Sequence, residues 1–571
     1  VWLFRVAVAL LPALVLLRQD NAIFAPPHNI DNWLYFGYFR HLAEFKMTYR
    51  ATYYGSRLAW VLPGWAIHSL FAPLLASFVL HLTVHITASL SLFEILRRTV
   101  ALRAAFLAAL VFSFSPQLWA ATGWDYTDGA GIAYCLLAMA LATGTAERRP
   151  SALLLALAGA AFAGMIYTNL FWIALAPAVG VYCLALQWAW RAAAFWRNAL
   201  RTALWMAAGA AALTGALCVV NHSLDGLWWF YEPSVRAARD LYKMPNPWFR
   251  GVVGPWGLAP WLWFTALAAG LSILELALRL RRLEAPDARL RAGVAAAFLA
   301  GLASMSFFQF VRELPVLGLT FYASYLLPFT FLAIGALLWD GVEALSRGRF
   351  LGLCAGAAAL FAVVWADYSG AFTPMWPAHA APVACAGAAL FIAARSARAR
   401  WFSVPLALAA CILFASETRY TSGFGPKHDP PNIPPRSAHD YREGFERVMQ
   451  QKEQIDRLRG AGRVYFWYDE SEPNRSEYWA LNSVHLFVNS RLGERFPELV
   501  CHPKGGPAMP VREGTVVAIS TRAPEQIELA RRRLEACWAE KGLRPTPAAP
   551  DSRWTYREPY TFSLLRAEPL R

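Results

Sequence analysis

The sequence predicts an α-helical polytopic membrane protein with about thirteen transmembrane helices and a small C-terminal α/β domain outside the membrane. Three observations lead there. Of 571 residues, 57% are hydrophobic and only 16% charged, outside the range of ordinary soluble domains. Many apolar runs reach the ~20 residues a helix needs to cross a bilayer, where lipid offers no partner for unpaired backbone groups. Arginine-rich loops alternate with loops that are not, the positive-inside pattern. The net charge of +15 does not point to nucleic acid, because the clearest basic clusters sit in short loops between spans.

The elements follow in order. Residues 2–18 form the first span, followed by no small-residue cleavage site and so read as retained rather than as a signal peptide. A loop, 19–57, comes next. Pro63 and Pro73 divide the following apolar run into an interfacial helix, 57–70, and a second span, 72–95, which ends at Leu96-Arg97-Arg98. The third span covers 104–121, and a turn, Gly123-Trp124-Asp125-Tyr126-Thr127-Asp128, leads to the fourth, 129–143. Residues 151–188 hold two spans joined by Tyr167-Thr168-Asn169, and the seventh covers 202–220. A polar loop, 221–257, rich in Trp and Pro, precedes the eighth span, 258–278. The remaining spans are 292–310, 324–340, 350–366, 382–394 and 402–416. The charge pattern places the arginine-rich loops in the cytoplasm and the Asp31 loop, the Asp125/Asp128 turn, the 221–257 loop and the tail on the opposite face.

The chain divides into a transmembrane part, 1–416, a proline-rich linker, 417–435, and an extramembrane α/β domain, 436–571. In the last, strand-like runs at 464–468 and 515–520, a helical pattern at 524–541 opening on Pro524, and a terminal strand-like run at 556–565 suffice for a core of their own. No phosphate loop or catalytic spacing occurs there, so docking or accessory work is expected of it. Six of the eight cysteines lie in apolar spans. Cys501 and Cys537 are the two in the tail and form a candidate disulfide in an oxidising compartment.

The stretch Asp31–Gly64 carries an acid at its start, cations at Arg40, Arg50 and Arg57, and many Tyr and Trp, which favour the membrane–water boundary. A carboxylate there can deprotonate a hydroxyl or bind a divalent cation. Asp31 and Asp128 both stand just outside a span on one face. For Asp128 the alternative is helix capping, and for Asp125 a solvated loop acid is the preferred reading. Arg57 can grip a phosphate with two hydrogen bonds, its alternative being a headgroup anchor. His81 and His85 share a helix face at a four-residue spacing, for which interhelical hydrogen bonding is preferred to metal binding.

This order of span, loop acid, aromatic and basic return to the membrane, interfacial helix, span ending Leu-Arg-Arg, and Asp-bearing turn resembles the multi-spanning glycosyltransferases that use polyprenyl-phosphate sugars, the GT-C class. Within it, the likeness is to the aminoarabinose transferase of lipid A, the protein O-mannosyltransferases and the lipopolysaccharide-core galacturonosyltransferases. The motif match covers about residues 31–143, with the spans and tail extending it in outline. The resemblance implies transfer of a sugar, with inversion, from a polyprenyl-phosphate donor to an acceptor hydroxyl on the periplasmic face of a bacterial inner membrane. The acceptor would be a glycolipid, a polysaccharide or a protein. It implies Asp31 as the catalytic acid of the first loop and Arg57 as the cation at the donor phosphate. It implies Asp128 as a second acid and leaves a divalent cation there open. Tyr322-Ala-Ser-Tyr325-Leu-Leu-Pro328 looks like the family segment that often reads Arg-Tyr-x-x-Pro. Tyr322 and Tyr325 are thereby placed at the donor phosphate, with Arg312 as a substitute cation. Two departures stand out: Asn32 where many members have a second acid, and Ser324 where many have Arg. A transporter or lipid flippase is the first rival reading, and a non-catalytic partner of envelope glycan assembly the second. A transporter predicts buried mid-span charges and paired broken helices, whereas the acids here cluster at loop ends.

Overall fold

The computed structural model describes residues 1–16, 23–24, 30–50, 52–147, 151–241, 265–266, 268–270, 272–273, 276–277, 285–312, 314, 316–317, 320–366, 408–409, 440–458, 464–466, 511–521, 524–556 and 558–570. The expected eighth, twelfth and thirteenth spans and the linker fall wholly or mostly outside these residues. What is described is mostly helical.

The early helices are α1 (Trp2–Leu16), α2 (Ile30–Arg40), α3 (Leu42–Thr48), α4 (Tyr53–Ser56), α5 (Leu58–Leu70), α6 (Pro73–Thr99), α7 (Leu102–Phe114), α8 (Pro116–Thr122) and α9 (Asp128–Glu147). After them come α10 (Ala152–Thr168), α11 (Ala176–Arg191), α12 (Phe195–Asp225), α13 (Glu232–Leu241), α14 (Pro286–Ser306), α15 (Thr320–Ala323), α16 (Leu327–Glu343) and α17 (Arg347–Ala366). The tail holds α18 (Asp440–Leu458), β1 (Val464–Phe466), β2 (Val516–Thr521), α19 (Pro524–Ala539), β3 (Leu543–Tyr556) and β4 (Glu558–Pro569). Among the described residues, four stretches of helix are long and apolar enough to cross a membrane: Pro73–Thr99, Asp128–Glu147, Leu170–Asp225 and Pro286–Val311. Two expectations need correction. The loop 19–57 is largely helical where described, as α2, α3 and α4. The expected third span is broken, because Pro116 cannot continue the ladder of α7 and instead opens α8.

The described residues form two units. The first comprises Val1–Arg18, Ser56–Trp60 and Phe78–Arg436. Here α9 packs between α10 and α11, α10 also packs on α12, and α11 packs on α14. Arg5 Nε donates to Glu94 Oε1 at 2.7 Å and ties α1 to the arginine-bearing end of α6, where Glu94 also meets Arg97 at 2.7 Å. The outer face is apolar: Trp2 and Leu3 on α1 and Trp196, Leu200 and Leu204 on α12 are exposed, as side chains in lipid would be.

The second unit comprises Gln19–Gly55, Val61–Ser77 and Ser437–Arg571. Its sheet has the order β1-β2-β4-β3, with β1 parallel to β2 and the other pairs antiparallel. α19 covers one face of the sheet, setting Ile527, Ala530, Leu534 and Trp538 against Val517, Ile519, Leu565 and Ala567. β3 carries Pro545, Pro547 and Pro550 and accordingly lies at an edge, where missing N–H groups cost no ladder bonds. In the same unit α18 presents Phe445 to Trp33, whose ring stacks on it at 5.6 Å, and to Phe36 at 5.5 Å. These aromatics bury the inner face of α2. Cys537 is disulfide-bonded; Cys501 lies outside the described residues.

Candidate active site

In the second unit, Asp31 stands in the first turn of α2, where a carboxylate complements the positive end of the helix. It is partly exposed. The Tyr54 hydroxyl donates to Asp31 Oδ1 at 2.5 Å. Tyr54 is itself held between Tyr53, stacked at 4.1 Å, and Tyr35, edge-on at 5.4 Å. The short helix that carries Tyr53 and Tyr54 is fixed from below by Lys46, which is buried and donates from Nζ to Gly55 O at 3.1 Å. A Cβ at Gly55 would sit 2.6 Å from the Tyr38 hydroxyl, so this turn requires glycine. Burial pushes the nearby Tyr49 hydroxyl up to about 12, keeping it neutral.

In the first unit, a second cluster forms around Asp128 at the head of α9. The Tyr325 hydroxyl donates to Asp128 Oδ1 at 2.5 Å, and both residues are buried. Tyr325 stacks on Trp172 at 4.1 Å, and Tyr322 meets it edge-on at 5.8 Å. A Cβ at Gly131 would fall 2.0 Å from Trp172 Nε1, so glycine one turn into α9 is what admits this indole. Arg57, 7% exposed between α4 and α5, lies near enough to act electrostatically on Asp128, Tyr325 and Tyr231. Burial pushes the Tyr231 hydroxyl well up and Arg57 opposes that rise. Ser56, the residue before Arg57, shares a 2.5 Å hydroxyl contact with Ser234 of α13.

The structure thus brings Asp128, Tyr325, Tyr322 and Arg57 together, while Asp31 stands with Tyr54 in the other unit. Arg312 is exposed at the end of a π-helical turn, Phe307–Val311. Ser324 is buried within the turn that carries Tyr325.

The reading of Asp125 as a solvated acid is overturned. It is 6% exposed, and His81 Nε2 lies 2.8 Å from its Oδ1. His81 therefore joins α6 to the turn before α9, the interhelical bonding expected of it. His85 stacks on Trp119 at 3.7 Å. Lys46, Tyr54 and Trp172 are the contributors that sequence reasoning did not single out for the site. The aromatics were lost among many near them, and a lysine one residue type among several cations carries no sign that it is buried.

Among the described residues no three His, Cys, Asp or Glu side chains converge. Around Asp128 the described partners are a phenol and a guanidinium, which offer a cation no further carboxylate.

No family model and no curated protein matches the chain. Among solved structures it is similar to ArnT from Cupriavidus metallidurans in the apo state, at 16% identity and a TM-score of 0.48 over 98% of this chain and 97% of the other. The same protein bound to undecaprenyl phosphate gives 16% and 0.47 over the same shares. The apo oligosaccharyltransferase of Archaeoglobus fulgidus gives 13% and 0.41 over 89% of this chain and 62% of that one.

Proposed function

We propose that the protein is a membrane glycosyltransferase that moves a sugar from a polyprenyl-phosphate donor to an acceptor hydroxyl on the periplasmic face, with inversion. The observation that carries the reading is the buried cluster of Asp128, Tyr325 and Arg57. A guanidinium beside buried phenols at the head of an apolar helix is a place for a lipid-borne phosphate, because it supplies charge and hydrogen bonds where water is scarce. The motif resemblance over residues 31–143 supports the same reading.

In this reading Asp31 takes the proton of the acceptor hydroxyl as that oxygen attacks the anomeric carbon. The bond from that carbon to the phosphate oxygen breaks, and the phosphate leaves with the negative charge on its lipid. Arg57 stabilises that charge, and the hydroxyls of Tyr322 and Tyr325 line the place it occupies. Arg312 is the candidate second cation at the phosphate. The proposed topology is about thirteen spans in residues 1–416, a linker over 417–435 and a periplasmic α/β part over 436–571.

Purified full-length protein incubated with labelled polyprenyl-phosphate hexoses and pentoses, and with glycolipid acceptors, tests this. Transfer of label to an acceptor is the expected result. Movement of intact donor across a vesicle bilayer without transfer identifies a transporter, and neither activity identifies a non-catalytic partner. The glycan profile of a deletion strain then names the acceptor.

A further inference from the structure

The turn Gly123–Thr127 joins α8 to α9 and delivers Asp128 to the head of α9. Two consecutive residues in it, Trp124 (φ 63°) and Asp125 (φ 56°), stand in the left-handed region. No other non-glycine residue among those described has a positive φ. A residue with a Cβ is disfavoured there, so the conformation persists only where its surroundings over-determine it.

Those surroundings are specific. His81 on α6 donates from Nδ1 to Thr122 O. Its Nε2 lies 2.8 Å from Asp125 Oδ1 and 3.2 Å from the Asp125 backbone N, and the ring nitrogen bonds one of the two at a time. From the other side, Trp60 of α5 donates from Nε1 to Asp125 O at 2.9 Å. The backbone N–H of the same Trp60 donates to Arg57 O at 2.9 Å. His81, Asp125 and Trp60 are all buried. One set of hydrogen bonds therefore connects the turn preceding Asp128 to the segment carrying Arg57.

We propose that His81 and Asp125 are positioning residues: they clamp the left-handed turn and so set Asp128 and Arg57 against the donor phosphate. The inference rests on the functional reading above. Neither residue touches substrate in it; each acts through the backbone of the turn. A pair that served helix packing alone would lower stability when removed but would not respond to relief of strain in the turn.

The test uses full-length protein in lipid nanodiscs with undecaprenyl-phosphate-linked sugars as donor. His81→Ala and Asp125→Ala are each expected to lower kcat by about 100-fold, the loss that a misplacement of about 1 Å produces, with a smaller change in donor KM. The double variant is expected to lose no more than either single one, because both act on one turn. Trp124→Gly removes the Cβ that disfavours the left-handed backbone and is expected to restore much of the lost rate in either background. Where an alanine variant fails to fold, His81→Gln and Asp125→Asn, which each retain hydrogen-bonding capacity, take its place with the same expectations at smaller size. Parental kcat in the single variants, losses that multiply in the double variant, or no recovery with Trp124→Gly each overturn the inference while the parent chain still transfers sugar. A parent that transfers sugar from none of these donors overturns the functional reading, and this inference falls with it.

Discussion

Asp31 and Asp128 are the same residue type, each in the first turn of a helix and each accepting a hydrogen bond from a tyrosine at 2.5 Å, yet their settings differ. Asp31 is partly exposed, on a short helix whose inner face is held by aromatic rings. Asp128 is 1% exposed, at the head of a long apolar helix, with an arginine acting on it. An acid that must take a proton from an incoming hydroxyl needs access. An acid that accepts a hydrogen bond from a buried phenol needs none, and burial strengthens that bond because water does not compete. Under the proposed function, the contrast suits proton transfer at Asp31 and organisation of the phosphate site at Asp128.

Four substitutions test this contrast. The largest effect is expected at Asp31. Asp31→Asn keeps size and polarity but cannot accept the proton, so transfer falls by ~10²–10⁴-fold while the melting temperature stays parental. A parental rate in a purified assay would remove Asp31 from catalysis. Next comes Arg57→Ala, which deletes a charge-assisted contact of about 1.5–3 kcal/mol, so donor use weakens by about 10- to 100-fold and Lys restores only part. Titration of donor concentration against rate checks it, and an unchanged donor dependence makes Arg57 a headgroup anchor. Asp128→Ala is expected to act on stability as well as rate, since it strands the buried Tyr325 hydroxyl at a cost of about 1–3 kcal/mol. Thermal unfolding in detergent reads this directly, and an unshifted transition would place Asp128 with Asp31 rather than opposite it. The smallest effect is Tyr54→Phe, which removes one hydrogen bond of about 1 kcal/mol from Asp31 and slows transfer by roughly fivefold. A loss as large as that of Asp31→Asn would instead make the phenol part of the proton path.

Much of the helical layout was legible, because a span that must satisfy its own backbone in lipid has to be a run of apolar residues. The interfacial helix at 57–70 corresponds to α5, and the expected second, fourth and ninth spans fall within α6, α9 and the helical run that α14 begins. Where the pattern failed, a local rule competed with it. Pro116 broke an apolar run that hydropathy alone reads as continuous. The prolines of β3 hid an edge strand, and the charged surface of α18 carried no sign that Phe445 is buried under Trp33.

At the candidate site the division is sharper. The sequence by itself determined which acids and cations stand at the ends of apolar runs, because charge is excluded from the interior of a run and collects at its limits. It therefore named Asp31, Arg57 and Asp128, while Tyr325 came from the family resemblance. Their partners came from folding. Asp128 and Tyr325 are 197 residues apart in the chain, and no periodicity within either segment reports that their side chains meet. Asp125 looked like a surface acid because its neighbours in sequence are turn residues, and it is buried because His81, 44 residues earlier, lies against it. Burial of a polar group is a property of what packs on it from elsewhere, and only folding supplies that.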